Sequence, residues 1–359
     1  MTRRDTISPR QFVACAFVAA LSLLIRRFPR ALAERAGGAA VLAAPMSVLP
    51  LAVGLAAAFA LCRKKPAGVP GLLTDTLGLA AGRVLTGVYG LWFVGYAGFL
   101  LRFGAERFLT TVYTGTQPWL FVGIMALVCA LAAAGRCAPI ARAAMIFRRG
   151  MLALVALVAL LTAKDLDLAL LQPLKLSDLR AAAATGLEVA NLLSIGFFLG
   201  FLGARLDKPV RLADAAPWIA VLLGIIALMT VESIGMFGPE LTAKMRFPYF
   251  MLVRDLTVLG ALERLEPIVI VLWFFPDFIL ISLLLHMAAQ NLRFALGART
   301  HRLLAPVCAA LAVAAALALP GGTDQQRALS ESLVPLLCAA FAFAPVPALL
   351  LAAAFRKKL

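Results

Sequence analysis

A glutamate set deep in an apolar stretch is the first residue of this chain that invites chemistry. Glu188 stands in the run Thr185-Gly186-Leu187-Glu188-Val189-Ala190-Asn191, with Ser194 one turn further on. A carboxylate at that depth of a lipid-embedded helix costs at least about 2.5 kcal/mol on insertion scales, so it must face a cavity or a partner. It can pair with a ligand amine or bind a proton. It can equally be a buried contact within a bundle, satisfied by a hydroxyl or a backbone group. Gly186 lets the helix open beside it, where freed N–H and C=O groups would hold a carboxylate or an amine. Glycine in such a helix also serves close packing. Asp277 follows Pro276 in a second apolar run. The proline frees a backbone carbonyl and can kink the helix. Asp277 therefore either lines a polar pathway or satisfies a neighbouring helix. His286, nine residues on, reads as an interfacial histidine or a proton relay.

No enzyme signature accompanies these residues. The sequence contains no HExxH, no GxxxxGK[ST], no GxSxG and no kinase set. Two histidines, His286 and His301, are too few for a histidine-based metal centre, and no cofactor is implied. The cysteines, Cys15, Cys62, Cys129, Cys137, Cys308 and Cys338, form no CxxC and sit mostly in apolar runs. They read as small hydrophobes, with no disulfide framework and no zinc site.

Composition says what holds these residues. Of 359 residues, 63% are hydrophobic and 14% charged, and the mean hydropathy is +0.95. A soluble domain has about 45–50% apolar and about 25% charged residues, so the chain reads as a membrane protein crossing the bilayer many times. The net charge of +16 first suggests nucleic acid. The basic residues, however, come in small groups between apolar runs, as topological anchors do, and no nucleic-acid partner is expected. Arg63-Lys64-Lys65 and Arg356-Lys357-Lys358 are two such groups. The segment Phe12–Ile25, after Arg3, Arg4 and Arg10, imitates a signal peptide but lacks a convincing cleavage site, and is kept as the first span.

Ten spans are predicted, at 11–33, 39–62, 83–103, 118–134, 146–163, 181–204, 215–234, 266–290, 303–319 and 332–354. An even number puts both termini on one side. The larger share of Lys and Arg falls on the terminal side, which the positive-inside rule makes cytoplasmic. The fold class is thus all-α: one polytopic membrane domain over 1–359, with five spans in 11–163 and five in 181–354. Each half opens with an odd helix. Span 1 has a short apolar core before Arg26-Arg27 and Pro29, and span 6 is the most polar. Interrupted helices at matching places mark a five-plus-five inverted repeat. The segment 238–265, outside the bundle, shows helical spacing over Tyr249–Leu265 and is expected to form one or two short interfacial helices. It then either touches ligand or serves as a structured cap. Trp92, Trp119 and Trp273 read as packing or belt residues, and Gly196, Gly200 and Gly203 as a surface for close helix contact.

Several fragments together resemble the spore germination receptor B subunits, the endospore germination permeases of the amino acid–polyamine–organocation transporter superfamily. They are Ile7-Ser8-Pro9-Arg10-Gln11-Phe12, Pro29 with Ala36-Gly37, Asp165–Pro173, Gly186-Leu187-Glu188, Gly238-Pro239-Glu240 with Pro248-Tyr249, and Leu262-Glu263-Arg264-Leu265-Glu266 with Trp273. The resemblance implies a LeuT-like fold with helices 1 and 6 interrupted around a central site. Ala20, Leu21 and Ser22 would lie at the helix 1 break, and Thr185, Gly186, Glu188 and Asn191 at helix 6. It further implies a sensor of a small nutrient, an amino acid by analogy, in a spore inner membrane, acting with receptor A and C subunits. This chain departs from relatives in carrying Ala19-Ala20-Leu21-Ser22 where glycine is common, and in Arg26-Arg27. The rival expectation is a proton- or sodium-coupled amino-acid secondary transporter.

Overall fold

The structure is a computed structural model that describes residues 5–51, 68–111, 117–172, 178–192, 195–256, 266–321, 325 and 328–343. Outside these lie Arg3, Arg4, Cys62, both basic triplets, Pro173, Ser194, Leu262–Leu265, and the far ends of spans 2 and 10. The Trp273 side chain lies outside them too. Among the described residues the chain is helical. The one β feature is an isolated parallel bridge between Ile7 and Leu206.

The helices are α1 (Pro9–Arg27), α2 (Arg30–Ala36), α3 (Ala43–Met46), α4 (Gly68–Leu77), α5 (Leu79–Thr111), α6 (Pro118–Ala134), α7 (Cys137–Thr162), α8 (Asp178–Leu192), α9 (Ile195–Leu199), α10 (Leu212–Lys244), α11 (Pro248–Asp255), α12 (Glu266–Leu296), α13 (Leu304–Ala318) and α14 (Val334–Phe343). Every expected span has helix within it. Five are long and apolar enough to cross a membrane by themselves, and a bent pair, α1 with the helices from Arg30 to Leu51, makes a sixth. Pro118–Ala134, Leu304–Ala318 and Leu329–Phe343 are shorter apolar helices.

Local chemistry explains how the first helix starts and where it bends. Ser8 caps α1. Its hydroxyl accepts from the Gln11 backbone N–H at 3.3 Å, and the Gln11 side-chain Oε1 accepts from the Ser8 backbone N–H at 2.9 Å. Pro9 occupies the first helical turn, where its missing N–H costs nothing. The helix then runs unbroken through Ala20, Leu21 and Ser22, so the expected opening at those residues is corrected. The bend, 59°, comes later, across Arg26–Pro29. Proline has no N–H to continue the ladder there, whereas nothing in Ala-Ala-Leu-Ser stops a helix.

Span 6 is likewise α-helical through Thr185, Gly186 and Glu188. The expected opening at Gly186 is therefore corrected as well. A Cβ on Gly186 would sit 3.1 Å from the Ala43 carbonyl oxygen and from Met46, so the glycine lets α8 and α3 approach. The change of helical type in this span falls nearer its end, where a 3-10 turn covers Gly200–Arg205. Gly203 meets Gly68 there, its absent Cβ only 2.7 Å from the Gly68 Cα, while Gly196 faces open space.

The interior is assembled around α1, which touches α7, α10 and α12, while α5 packs along α12 and α13. Large apolar side chains also point outward. Leu131 is 69% exposed and Leu160 75%. In water such a surface would aggregate, whereas against lipid tails it is the solvent-facing side.

Candidate functional site

Among the described residues, polar clusters lie inside this apolar bundle at different depths, and three of them bear on a site. Glu188 sits on α8 about ten residues below that helix's start. Its carboxylate forms an ion pair with Arg35 of α2, the short helix just beyond the span 1 bend. Arg35 is half exposed and Glu188 mostly covered. The bend turns α2 towards α8, and so brings a guanidinium to the carboxylate expected to meet a ligand. A positive charge already fills the place of a ligand amine, and the α2–α8 junction closes through it. Thr185 beside it donates to Ala182 O at 2.8 Å and to Ala181 O at 3.2 Å, which spends its hydroxyl on its own helix. Asn191 donates to Pro335 O at 2.9 Å and ties α8 to α14.

The second cluster gathers Ser22, Asp277 and Arg107. The Ser22 hydroxyl donates to Asp277 Oδ1 at 2.5 Å, and Arg107 Nη2 donates to Asp277 Oδ2 at 2.5 Å. All three residues are buried. Asp277 thus joins α1, α5 and α12. Of the two readings of Asp277, neighbouring-helix contact is the geometry seen. Both charges are taken from water, and their attraction stands against a desolvation cost of several kcal/mol per ion.

The third cluster was not anticipated. It centres on Glu232, two residues from the end of the predicted span 215–234. Glu232 is fully buried on α10, six residues before a kink at Gly238. The Thr162 hydroxyl at the end of α7 donates to its Oε1 at 3.2 Å, and Oε2 has no hydrogen-bond partner. The Tyr249 phenol of α11 lies against the same carboxyl without closing a well-formed hydrogen bond. Burial first, and the neighbouring Glu232 second, push the Tyr249 phenol up, so Tyr249 stays a neutral donor. A signal existed in the sequence: Thr230-Val231-Glu232-Ser233 is a polar patch within an apolar run.

Loop 238–256 is built to hold Tyr249 in place. Gly238 has φ 75° and ψ 161°, a backbone region open to glycine alone, and Pro239 starts a new helical turn. The Thr242 hydroxyl donates to Ser233 O at 3.0 Å and Gly238 O at 2.7 Å, satisfying carbonyls left near the break. Pro248, Tyr249, Phe250, Leu252 and Val253 are all buried, so the described part of this loop tucks into the protein.

At the opposite face the amino-terminal segment is fastened to the end of span 6. Ile7 N donates to Arg205 O at 2.9 Å and Asp207 N to Ile7 O at 3.1 Å. Asp5 pairs with Arg205 and accepts from the Cys137 amide at 3.0 Å. Nearby, His286 is buried, its Nδ1 donating to Ala133 O at 2.8 Å. The His301 ring stands edge-on to it at 5.1 Å. Burial pushes His301 down, which favours its neutral form.

These features describe a many-span helical membrane protein. The solved structure "Crystal structure of MhsT in complex with L-phenylalanine" superposes with a TM-score of 0.62 at 16% identity, over 94% of this chain and 90% of that one. At that identity the likeness shows the fold alone, a LeuT-like helical architecture. The model of the spore germination protein family, the spore permeases, matches residues 6–319, and the chain belongs to that family. No curated protein matches it in sequence.

Proposed function

We propose that this chain is the transporter-like subunit of a spore germinant receptor, sensing a small nutrient, an amino acid, near the junction of α2 and α8. The family match over 6–319 carries the reading. The fold neighbour is in complex with L-phenylalanine, which supports an amino acid as the ligand class. The proposed assembly includes receptor A and C subunits, sits in the spore inner membrane, and has both termini in the cytoplasm.

The proposed mechanism follows from the Arg35–Glu188 pair. An amino acid carries both charges of that pair. Its carboxylate competes for Arg35 and its amine for Glu188, so binding inserts a ligand between α2 and α8. The ligand then shifts the population of bent and opened arrangements by its differential affinity for them. Glu188→Gln abolishes the germination response while leaving protein abundance normal. A full response from spores carrying that variant overturns the assignment of Glu188.

The rival reading is a proton- or sodium-coupled amino-acid carrier. It is favoured by ion pairs at two separate levels, Arg35–Glu188 and Asp5–Arg205, because a carrier must open its two faces in turn. Concentrative uptake of labelled amino acid by the reconstituted chain alone decides for the carrier.

A further inference from the structure

We propose that Glu232 is a proton-binding site, and that its proton holds the capping helix α11 on the bundle through Tyr249. The reading begins with burial. Glu232 is 0% exposed, and the groups acting on it are the hydroxyls of Thr162 and Tyr249, both neutral. An ionised carboxylate enclosed without a cation is strongly disfavoured, and a proton is the simplest way to remove its charge.

The elements packed on α10 offer no substitute among the described residues. Arg30, Glu34 and Arg35 of α2, Lys164, Asp165 and Asp167 between α7 and the 3-10 turn at Leu168–Leu171, Glu240 and Lys244 further along α10, Arg246 in the link to α11, and Arg254 and Asp255 of α11 are the ionisable groups on this side. Arg142, Arg148 and Arg149 of α7 and Arg10 of α1 sit towards the other face. None makes an ion pair with Glu232. Arg35 is engaged by Glu188, Arg254 by Asp255, and Arg148 lies over the Trp218 ring. Tyr249 is the titratable group that does act on it.

Two oxygen atoms left without partners meet here, and a third belongs to the next residue of α10. Glu232 Oε2, Tyr249 Oη and Ser233 Oγ are all buried and unbonded. A protonated carboxyl can donate to the Tyr249 oxygen, while ionisation places an uncompensated charge against α11. Proton loss therefore favours lifting α11, which admits water or a cation to the carboxylate. Since α11 follows the Gly238 kink, its motion has a hinge. This inference is independent of the receptor reading, because it invokes neither the nutrient nor Glu188.

The test uses the full chain in lipid nanodiscs, without nutrient or partner subunits. Infrared difference spectra between about pH 5 and about pH 9 report protonated carboxyl groups. A buried carboxyl C=O band is expected in the wild type, absent in Glu232→Gln and shifted in frequency in Tyr249→Phe. Hydrogen exchange of the 248–255 amides, corrected for the intrinsic pH dependence of exchange, loses protection about tenfold or more as the band disappears. In Glu232→Gln that protection stays constant with pH. If Glu232→Gln fails to fold, the Tyr249→Phe spectrum decides alone: an unmoved carboxyl band overturns the proposal. So does a change in protection that follows sodium chloride at fixed pH instead of following pH.

Discussion

Asp277 is held by two donors, and that fixes what its loss costs. Breaking one member of a buried ion pair strands the other charge, at about 3–5 kcal/mol. Asp277→Asn therefore lowers stability by about that much, seen as a fall in the thermal midpoint of the detergent-solubilised protein. Ser22→Ala removes one hydrogen bond to a charged group and costs less, about 1.5–3 kcal/mol. Replacing the pair together, Arg107→Met with Asp277→Leu, recovers most of the loss. A double variant as unstable as Asp277→Asn would show that the residues do not act as a pair. Asp277 was legible in the sequence because Pro276-Asp277 interrupts an apolar run. Arg107 was not, because the apolar core of its span ends at 103 while α5 continues to Thr111. Glu232 falls inside its predicted span, 215–234, but two residues from the end, where an acid reads as facing the interface. A hydropathy window closes a span where polarity rises, but a helix covered by other protein continues past that point, as α5 and α10 do.

At the scale of elements, the kink at Gly238-Pro239 decides where α11 goes. A residue with a Cβ at φ 75° and ψ 161° is strained by about 1–3 kcal/mol. Gly238→Ala should thus weaken docking of 248–255 before it unfolds the bundle. Hydrogen exchange should rise in those eight residues, while α12 stays protected. Equal loosening in both would place the kink's contribution in the whole fold. The helices themselves were legible because each is an apolar run bounded by basic residues, proline or glycine, and the 118–134 span coincides with α6. Breaks were less legible. Polarity pointed to Gly186, yet the glycine is consumed by contact with Ala43 and Met46. The actual bend in span 1 lies at Arg26–Pro29, and only the proline announced it. A helix opens where backbone partners are lost, which single-residue polarity does not report.

The whole molecule has two unlike faces joined by an apolar wall. One carries the amino-terminal latch together with Arg83, Arg136, Arg142, Arg149, Lys208, Arg211, Arg299 and Arg302. The other is mixed, carrying Glu34, Asp165, Asp167, Asp178, Glu240 and Asp255 among Arg30, Arg35, Lys164, Arg180, Lys244, Arg246 and Arg254, on the side of the Glu188 and Glu232 sites. The proposed orientation turns the first of these faces to the cytoplasm, as the positive-inside rule expects of short loops that retain Lys and Arg. A ligand arriving from outside would then reach Arg35–Glu188 before the Asp5–Arg205 latch. Orientation is thus part of the mechanism, and it can be read directly. The five described cysteines are buried, so a Cys62→Ser background gives little reaction with a thiol reagent. Cysteines introduced singly at Lys164 and at Arg299, both exposed, report the two faces. On intact cells a membrane-impermeant maleimide should label Lys164→Cys, and should reach Arg299→Cys only after the membrane is permeabilised. The reverse pattern would invert the protein. Arg35–Glu188 would then lie towards the cytoplasm, and an external nutrient would have to cross the Asp5–Arg205 latch first.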